Sequence, residues 1–189
     1  MPALTGLLID NLLSITSPEI GTDIYSLAGF KIRDAVSDDC EKIFRMCKDQ
    51  AILHDWEHEI TSSVDTFRKD GFGENPSFRC LVAKKLDSGE IIAYTLFTPF
   101  YVSWMGKCMY MVELHVTELE RGKGVGRALV RRLAQVCLQE GCVRLQWDAM
   151  AWNDKAIKFY NKIGGKDTTV AFGGRRIFIM DKTDMENSG

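Results

Sequence analysis

From Phe30 onward the apolar positions switch between the two spacings that strands and helices require. Phe30–Arg33 reads as a short strand. Behind it, Asp38 or Asp39 can cap a helix whose apolar positions Ile43, Phe44, Cys47 and Ile52 recur at helical spacing. A second helical piece is predicted over 62–69, ending at Gly71. Three strand-like runs follow, Phe78–Lys85, Ile91–Tyr101 and Lys107–Val116. They are separated by Asp87-Ser88-Gly89 and Met105-Gly106-Lys107, turns that suit antiparallel hairpins. Next, Val125, Ala128, Leu129, Leu133, Val136 and Cys137 make one apolar face of a helix over 128–140. Arg127, Arg131, Arg132, Gln135 and Gln139 make the polar face, and Gly141 stops it. Arg144–Asp148 reads as a strand, Asn153–Ile163 as a helix closed by Gly164-Gly165, and Val170–Phe172 with Ile177–Met180 as a final hairpin. The order βααβββαβαββ combines an antiparallel half with a crossover half. It predicts an α/β domain built on a mixed sheet flanked by helices.

The 189 residues suit one well-cored domain, expected over 30–183, with an N-terminal extension over 1–29 and a short tail over 184–189. The extension has no Lys or Arg, unlike a secretory signal or a mitochondrial presequence. A formal charge of -2 excludes the basic excess of a nucleic-acid binder. No apolar run reaches the roughly 18 residues of a membrane span. Six cysteines without CxxC pairing read as reduced thiols, which implies a cytoplasmic protein.

The densest chemical signal is Arg121-Gly122-Lys123-Gly124-Val125-Gly126, between a predicted strand and a predicted helix. Alternate glycines strip side chains from the turn, so backbone N–H groups can close on an anion at the helix N-terminus. A Rossmann fingerprint needs different glycine spacing after the first strand, and a P-loop needs Gly-Lys-Ser/Thr at its end. A plain tight turn is the bland alternative.

With the preceding strand, Val116 to Gly126 resembles the R/Q-x-x-G-x-G/A signature of the GNAT N-acetyltransferase superfamily. The run Trp152–Gly165, containing Asn153, Ala156, Phe159 and Tyr160, is similar to the family's N-x-x-A-x-x-F-Y helix. Phe30–Ala35, Asp38-Asp39-Cys40 and Asp70–Pro76 followed by Cys80–Ala83 resemble the diamine (spermidine/spermine) and thialysine acetyltransferases.

This resemblance implies a GNAT fold with the sheet splayed between strands 4 and 5, and acetyl-CoA bound in the splay without a metal. Backbone groups of Leu114, His115 and Val116 would pair with the pantetheine arm. Arg121, Gly122, Lys123, Gly124, Val125, Gly126 and Arg127 would take the pyrophosphate, and Asn153, Lys155, Ala156 and Tyr160 would complete the cofactor site. The reaction implied is acetyl transfer to a primary amine of a small molecule (polyamine, diamine or lysine-like amino acid) by a homodimer.

Direct transfer needs a neutral amine, and a free alkylamine has a pKa near ~10. A base, a stabilised oxyanion and a donor to the leaving thiolate are therefore required. Tyr160 is the expected acid, with a hydrogen-bonded core tyrosine as the alternative. The family's fourth-strand glutamate is replaced here by Val112, which leaves Glu113 as the candidate base or amine contact and His115 as a lesser one. Strand alternation puts Glu113 and His115 on the face opposite Val112 unless a bulge intervenes. Trp56, Glu57 and Asp148 are the expected acceptor contacts, because carboxylates beside an aromatic suit an ammonium; a solvated helix end is the alternative. His54-Asp55-Trp56-Glu57-His58 literally matches the zinc pattern H-x-x-E-H but has no evident third ligand. A non-catalytic acetyl-CoA-binding module is the rival reading from another class, and a GNAT enzyme acting on arylalkylamines or protein amines is the other alternative.

Overall fold

A computed structural model describes residues 29–169 and residue 180 of the chain. Residues 1–28 of the expected 1–29 extension, most of the expected final hairpin and the tail lie outside the described residues. The described residues divide into two compact units, one over 29–148 and one from 149 onward.

The first unit is a five-stranded sheet in the order β1-β2-β3-β4-β5, with β1 Phe30–Asp34, β2 Arg79–Lys85, β3 Ile91–Val102, β4 Gly106–Val116 and β5 Arg144–Gln146. The first four strands pair antiparallel and β5 runs parallel to β4, as the mixed pattern predicts. Helices α1 (Cys40–Leu53) and α2 (Val64–Phe72) bury Ile43, Phe44, Met46 and Phe67 against Cys80, Val82, Tyr94 and Leu96 on one face. Alternation sends Leu81, Ala83, Ala93 and Phe97 to the other face, where α3 (Val125–Gln139) packs across all five strands. All six of its predicted apolar positions are buried, and Val130 joins them.

Several boundaries differ from expectation for identifiable reasons. Ile52 is exposed: nine residues beyond Ile43, it lies half a turn around the helix from it. Asp39 stands at the cap position of α1, but its carboxylate turns back to Arg33 and the Val36 amide. Gly71 lies inside α2, which continues to Phe72. A Cβ at Gly71 would come 2.5 Å from the Phe78 ring, so this glycine serves a close packing contact rather than a stop. α3 starts at Val125, three residues earlier than predicted. β5 stops at Gln146, and its pairing with β4 is confined to Cys108↔Arg144, Met109↔Leu145 and Tyr110↔Gln146.

In the second unit, helix α4 spans Asp154–Lys162. Asn153 Oδ1 accepts the Ala156 amide at 3.1 Å, and Asp154 in the first turn complements the helix dipole. Gly164 at φ 95° and the Gly165 amide on the Tyr160 carbonyl close the helix, at the expected glycine pair. No helix among the described residues is long and apolar enough to cross a membrane.

Candidate active site

The decisive local event is a bulge in β4. Leu96 pairs with Glu113 and Phe97 pairs with Met111, so Val112 has no partner on β3. One extra residue flips the pleat, which puts Met111 and Glu113 on opposite faces although they are two apart. Val112 is 46% exposed, whereas Met111 is buried. Immediately before the bulge the β5 pairing ends. From Met111 to Val116, no described strand pairs with β4 on its β5 side. An unpaired strand edge offers N–H and C=O groups at regular spacing, which suits a ligand carrying amides. Leu114, His115 and Val116 lie on that edge.

The edge leads through a short 3-10 turn, Glu118–Glu120, into the glycine loop. Gly122 and Gly124 adopt φ of 78° and 89°, and an added Cβ at either would meet no protein atom within 4 Å. Gly124 is the N-cap of α3, so Val125, Gly126 and Arg127 form the first helical turn rather than a loop. Their N–H groups precede the first intrahelical bond, which Ala128 donates to the Gly124 carbonyl. Ser63 and Asn153 cap α2 and α4 with their side chains; α3 has a glycine cap and no acid in its first turn. An anion satisfies such a terminus. Arg121 Nε donates to the Val116 carbonyl at 2.9 Å and ties the loop to the end of β4. Lys123 is ion-paired with Glu120 at 3.1 Å.

The bulge aims Glu113 toward α1. Its Oε2 accepts the Tyr94 hydroxyl at 2.7 Å, and Cys47 Sγ donates to the same oxygen at 3.7 Å. Tyr94 is fully buried, and its phenol is pushed well above its usual range by burial and then by the Glu113 charge. The same causes, in the same order, push the Cys47 thiol up to about 12. His115 stacks on the Tyr94 ring, with centroids 5.8 Å apart. Burial first, then the Arg121 charge, lowers its imidazole to about 4, so the ring is neutral near pH 7.

Asp148 Oδ2 accepts the Tyr110 hydroxyl at 2.9 Å, and burial followed by that bond pushes the phenol up to about 12. Trp56 is 45% exposed and stacks on His54 at 4.9 Å in the turn after α1. Glu57 opens the 3-10 turn Glu57–Glu59 and, with Ile52, Asp55 and His58, lines an open depression. The H-x-x-E-H run therefore crosses a helix end and a 3-10 turn. Its two histidines are not stacked on one continuous helix face, as a zinc-binding helix requires. Among the described residues, no three His, Cys, Asp or Glu side chains converge on a metal-sized space.

In the second unit, the Asn153 side chain is engaged in capping, Lys155 is exposed and Ala156 is half-buried on α4. Tyr160 is half-buried, with its ring 5.3 Å from that of Phe159. Sequence reasoning missed Tyr94, Cys47 and Tyr110, the partners of the candidate carboxylates. The alternation of β3 marks Tyr94 as buried, but only the cross-strand register reveals its partner.

The Acetyltransferase (GNAT) family matches residues 35–165. Thialysine N-epsilon-acetyltransferase of Mus musculus is 34% identical over 153 residues, covering 78% of this chain and 90% of its own. Spermidine/spermine N(1)-acetyltransferase-like protein 1 of Homo sapiens is 31% identical over 147 residues, 75% of this chain and 21% of its own. Among solved structures, an integron cassette protein of V. cholerae superimposes with a TM-score of 0.67 at 21% identity, covering 84% of this chain and 96% of that one. That likeness concerns the fold.

Proposed function

The chain belongs to the acetyltransferase (GNAT) family, and on that premise we propose that it moves the acetyl group of acetyl-CoA directly to a primary amine of a small molecule. The acceptor class is a lysine-like amino acid, diamine or polyamine. One observation carries the donor half of this reading: past the bulge, an edge of β4 that no described strand pairs leads through the 3-10 turn Glu118–Glu120 and the glycine loop to a helix N-terminus with no side-chain cap. Pantetheine amides suit the backbone of Leu114, His115 and Val116. The pyrophosphate suits the N–H groups of Val125, Gly126 and Arg127, with Arg121 beside them. Acetyl-CoA supplies an activated acyl carbon and a thiolate leaving group.

The named relatives support the acceptor class, because thialysine Nε and spermidine both present a primary amine on a flexible chain. Such an amine arrives as an ammonium and must lose a proton before attack. Glu113, held at the bulge by the Tyr94 hydroxyl and the Cys47 thiol, is the candidate base or amine contact, with His115 the lesser candidate. Trp56, Glu57 and Asp148 suit the cation by charge and by an aromatic face. The match of the 153–165 run to the family helix supports Tyr160 as the acid that protonates the departing thiolate, with Asn153, Lys155 and Ala156 beside the donor. By the same resemblance the working form is a homodimer in the cytoplasm, acting without a metal.

A second reading, a module that binds acetyl-CoA without turnover, is favoured by one feature. Val112 stands where the family's glutamate is expected. Profiling kcat/KM over lysine-like amino acids, putrescine, spermidine and an arylalkylamine separates the two. Enzyme action predicts turnover of an aliphatic amine and a fall in kcat of about 10²-fold or more in Tyr160→Phe. Acetyl-CoA binding without turnover of any amine would establish the module.

A further inference from the structure

Glu120 is a nearly buried carboxylate placed one residue before the glycine loop, and both its oxygens are occupied by lysines. Lys85, at the end of β2, reaches Oε1 at 2.7 Å; Lys123, within the loop, reaches Oε2 at 3.1 Å. The Glu120 side chain is 11% exposed, whereas that of Lys123 is 60% exposed. The backbone is fixed too, since the Glu120 amide donates to the Thr117 carbonyl at 2.9 Å. The bonds from Lys85 and then Lys123 hold the carboxyl below its usual range, so Glu120 keeps its charge near pH 7.

The loop therefore presents less positive charge than its sequence suggests. Two lysines and one glutamate leave a net charge of one, and Lys123, the residue before the Gly124 N-cap, is tied to a rigid acceptor. We infer that Glu120 sets the grip of the donor site, holding Lys123 back from the phosphates of coenzyme A so that the spent donor can leave. This rests on the reading of the glycine loop as the phosphate site. Backbone N–H groups and Arg121 then recognise the phosphates, and Lys123 is a reserve cation. A strongly held product would slow each turnover, so a restrained cradle serves the reaction.

The test is calorimetric binding of coenzyme A, with dissociation followed by stopped flow, at about 20 and about 200 mM salt. Removing the negative charge that holds Lys123 predicts that Glu120→Gln binds coenzyme A about three- to tenfold tighter at low salt and releases it more slowly. The gain shrinks at high salt, is absent for S-acetylpantetheine, which lacks the phosphates, and disappears when Lys123→Met is added. Glu120→Asp, which keeps the charge, binds like wild type; a gain there equal to that of Glu120→Gln would overturn the inference. Lys123→Met alone, which needs no change at the buried carboxylate, weakens binding by less than about threefold, whereas a loss of about tenfold or more would mean Lys123 already grips the phosphates. Normal wild-type binding with no gain in folded Glu120→Gln overturns this inference alone. Wild type that fails to bind coenzyme A overturns the donor reading, and this inference with it.

Discussion

The Tyr94 hydroxyl donates to Glu113 Oε2 at 2.7 Å, beside the register shift that leaves Val112 unpaired. This bond joins the two strands at the point where β4 parts from β5. Its donor is fully buried, so the geometry of Glu113 is set by the core rather than by solvent.

Tyr94→Phe removes that donor with almost no change in volume. A carboxylate that loses a buried hydrogen bond costs about 1–3 kcal/mol. The variant is expected to lose stability in that range in urea titrations and to lose turnover more than acetyl-CoA affinity. Retention of full stability would mean that the bond adds nothing to the fold.

Two glycines with positive φ bracket α3 and offer a matched pair. Gly124 and Gly141 adopt φ of 89° and 71°, and neither would bring an added Cβ near protein atoms. Alanine at either position costs about 1–2 kcal/mol of backbone strain. Only Gly124→Ala puts a methyl group into the expected anion space. Acetyl-CoA affinity is expected to fall about tenfold in Gly124→Ala and to stay near wild type in Gly141→Ala, with similar losses of Tm. Equal affinities in the two variants would remove the α3 N-terminus from the donor site.

His115 links stability to pH. Its folded pKa of about 4 lies below the ordinary value of 6.5, so the unfolded chain takes up a proton at a higher pH than the native one. The contribution to stability is complete above about pH 6.5 and is lost progressively as pH falls toward 4. Between pH 7 and pH 5, wild type is expected to lose about 2 kcal/mol more than His115→Gln in paired urea titrations. The same loss in both proteins would show that the ring is not desolvated as described.

Cys47 is held as a thiol by burial and by Glu113, with a pKa of about 12. Mass spectrometry after iodoacetamide treatment at pH 7.5 is expected to find Cys47 unmodified in folded wild type, because the thiolate is the reactive form. Glu113→Gln removes the adjacent charge and is expected to raise the labelling rate. Rapid labelling of wild type would contradict the contact.

The order of elements along the chain and the buried face of α3 were legible from repeating spacings, and the β2–β3 and β3–β4 hairpins from the turn residues between them. The strand-to-helix turn was legible from its alternate glycines, but α3 begins three residues earlier than predicted, because Gly124 is its N-cap and Val125–Arg127 its first turn. What escaped was relational. The bulge depends on which β3 residue faces which β4 residue, and nothing in Tyr110–Val116 alone announces it. Tyr94 and Tyr110 carry no local mark of the carboxylates they bind, because those partners lie 19 and 38 residues away in sequence. Gly71 misled because a glycine near a helix end reads as a stop, whereas here it admits the Phe78 ring.

The central claim is transfer of acetyl from acetyl-CoA to a small primary amine. Its most direct test mixes the purified full chain with isotope-labelled acetyl-CoA and a lysine-like amino acid, a diamine and a polyamine, and identifies products by mass spectrometry. The expected result is label on a primary amine, with one free coenzyme A thiol for each acetyl group transferred. Bound acetyl-CoA with no labelled amine and no thiol release beyond the protein-free rate would contradict it.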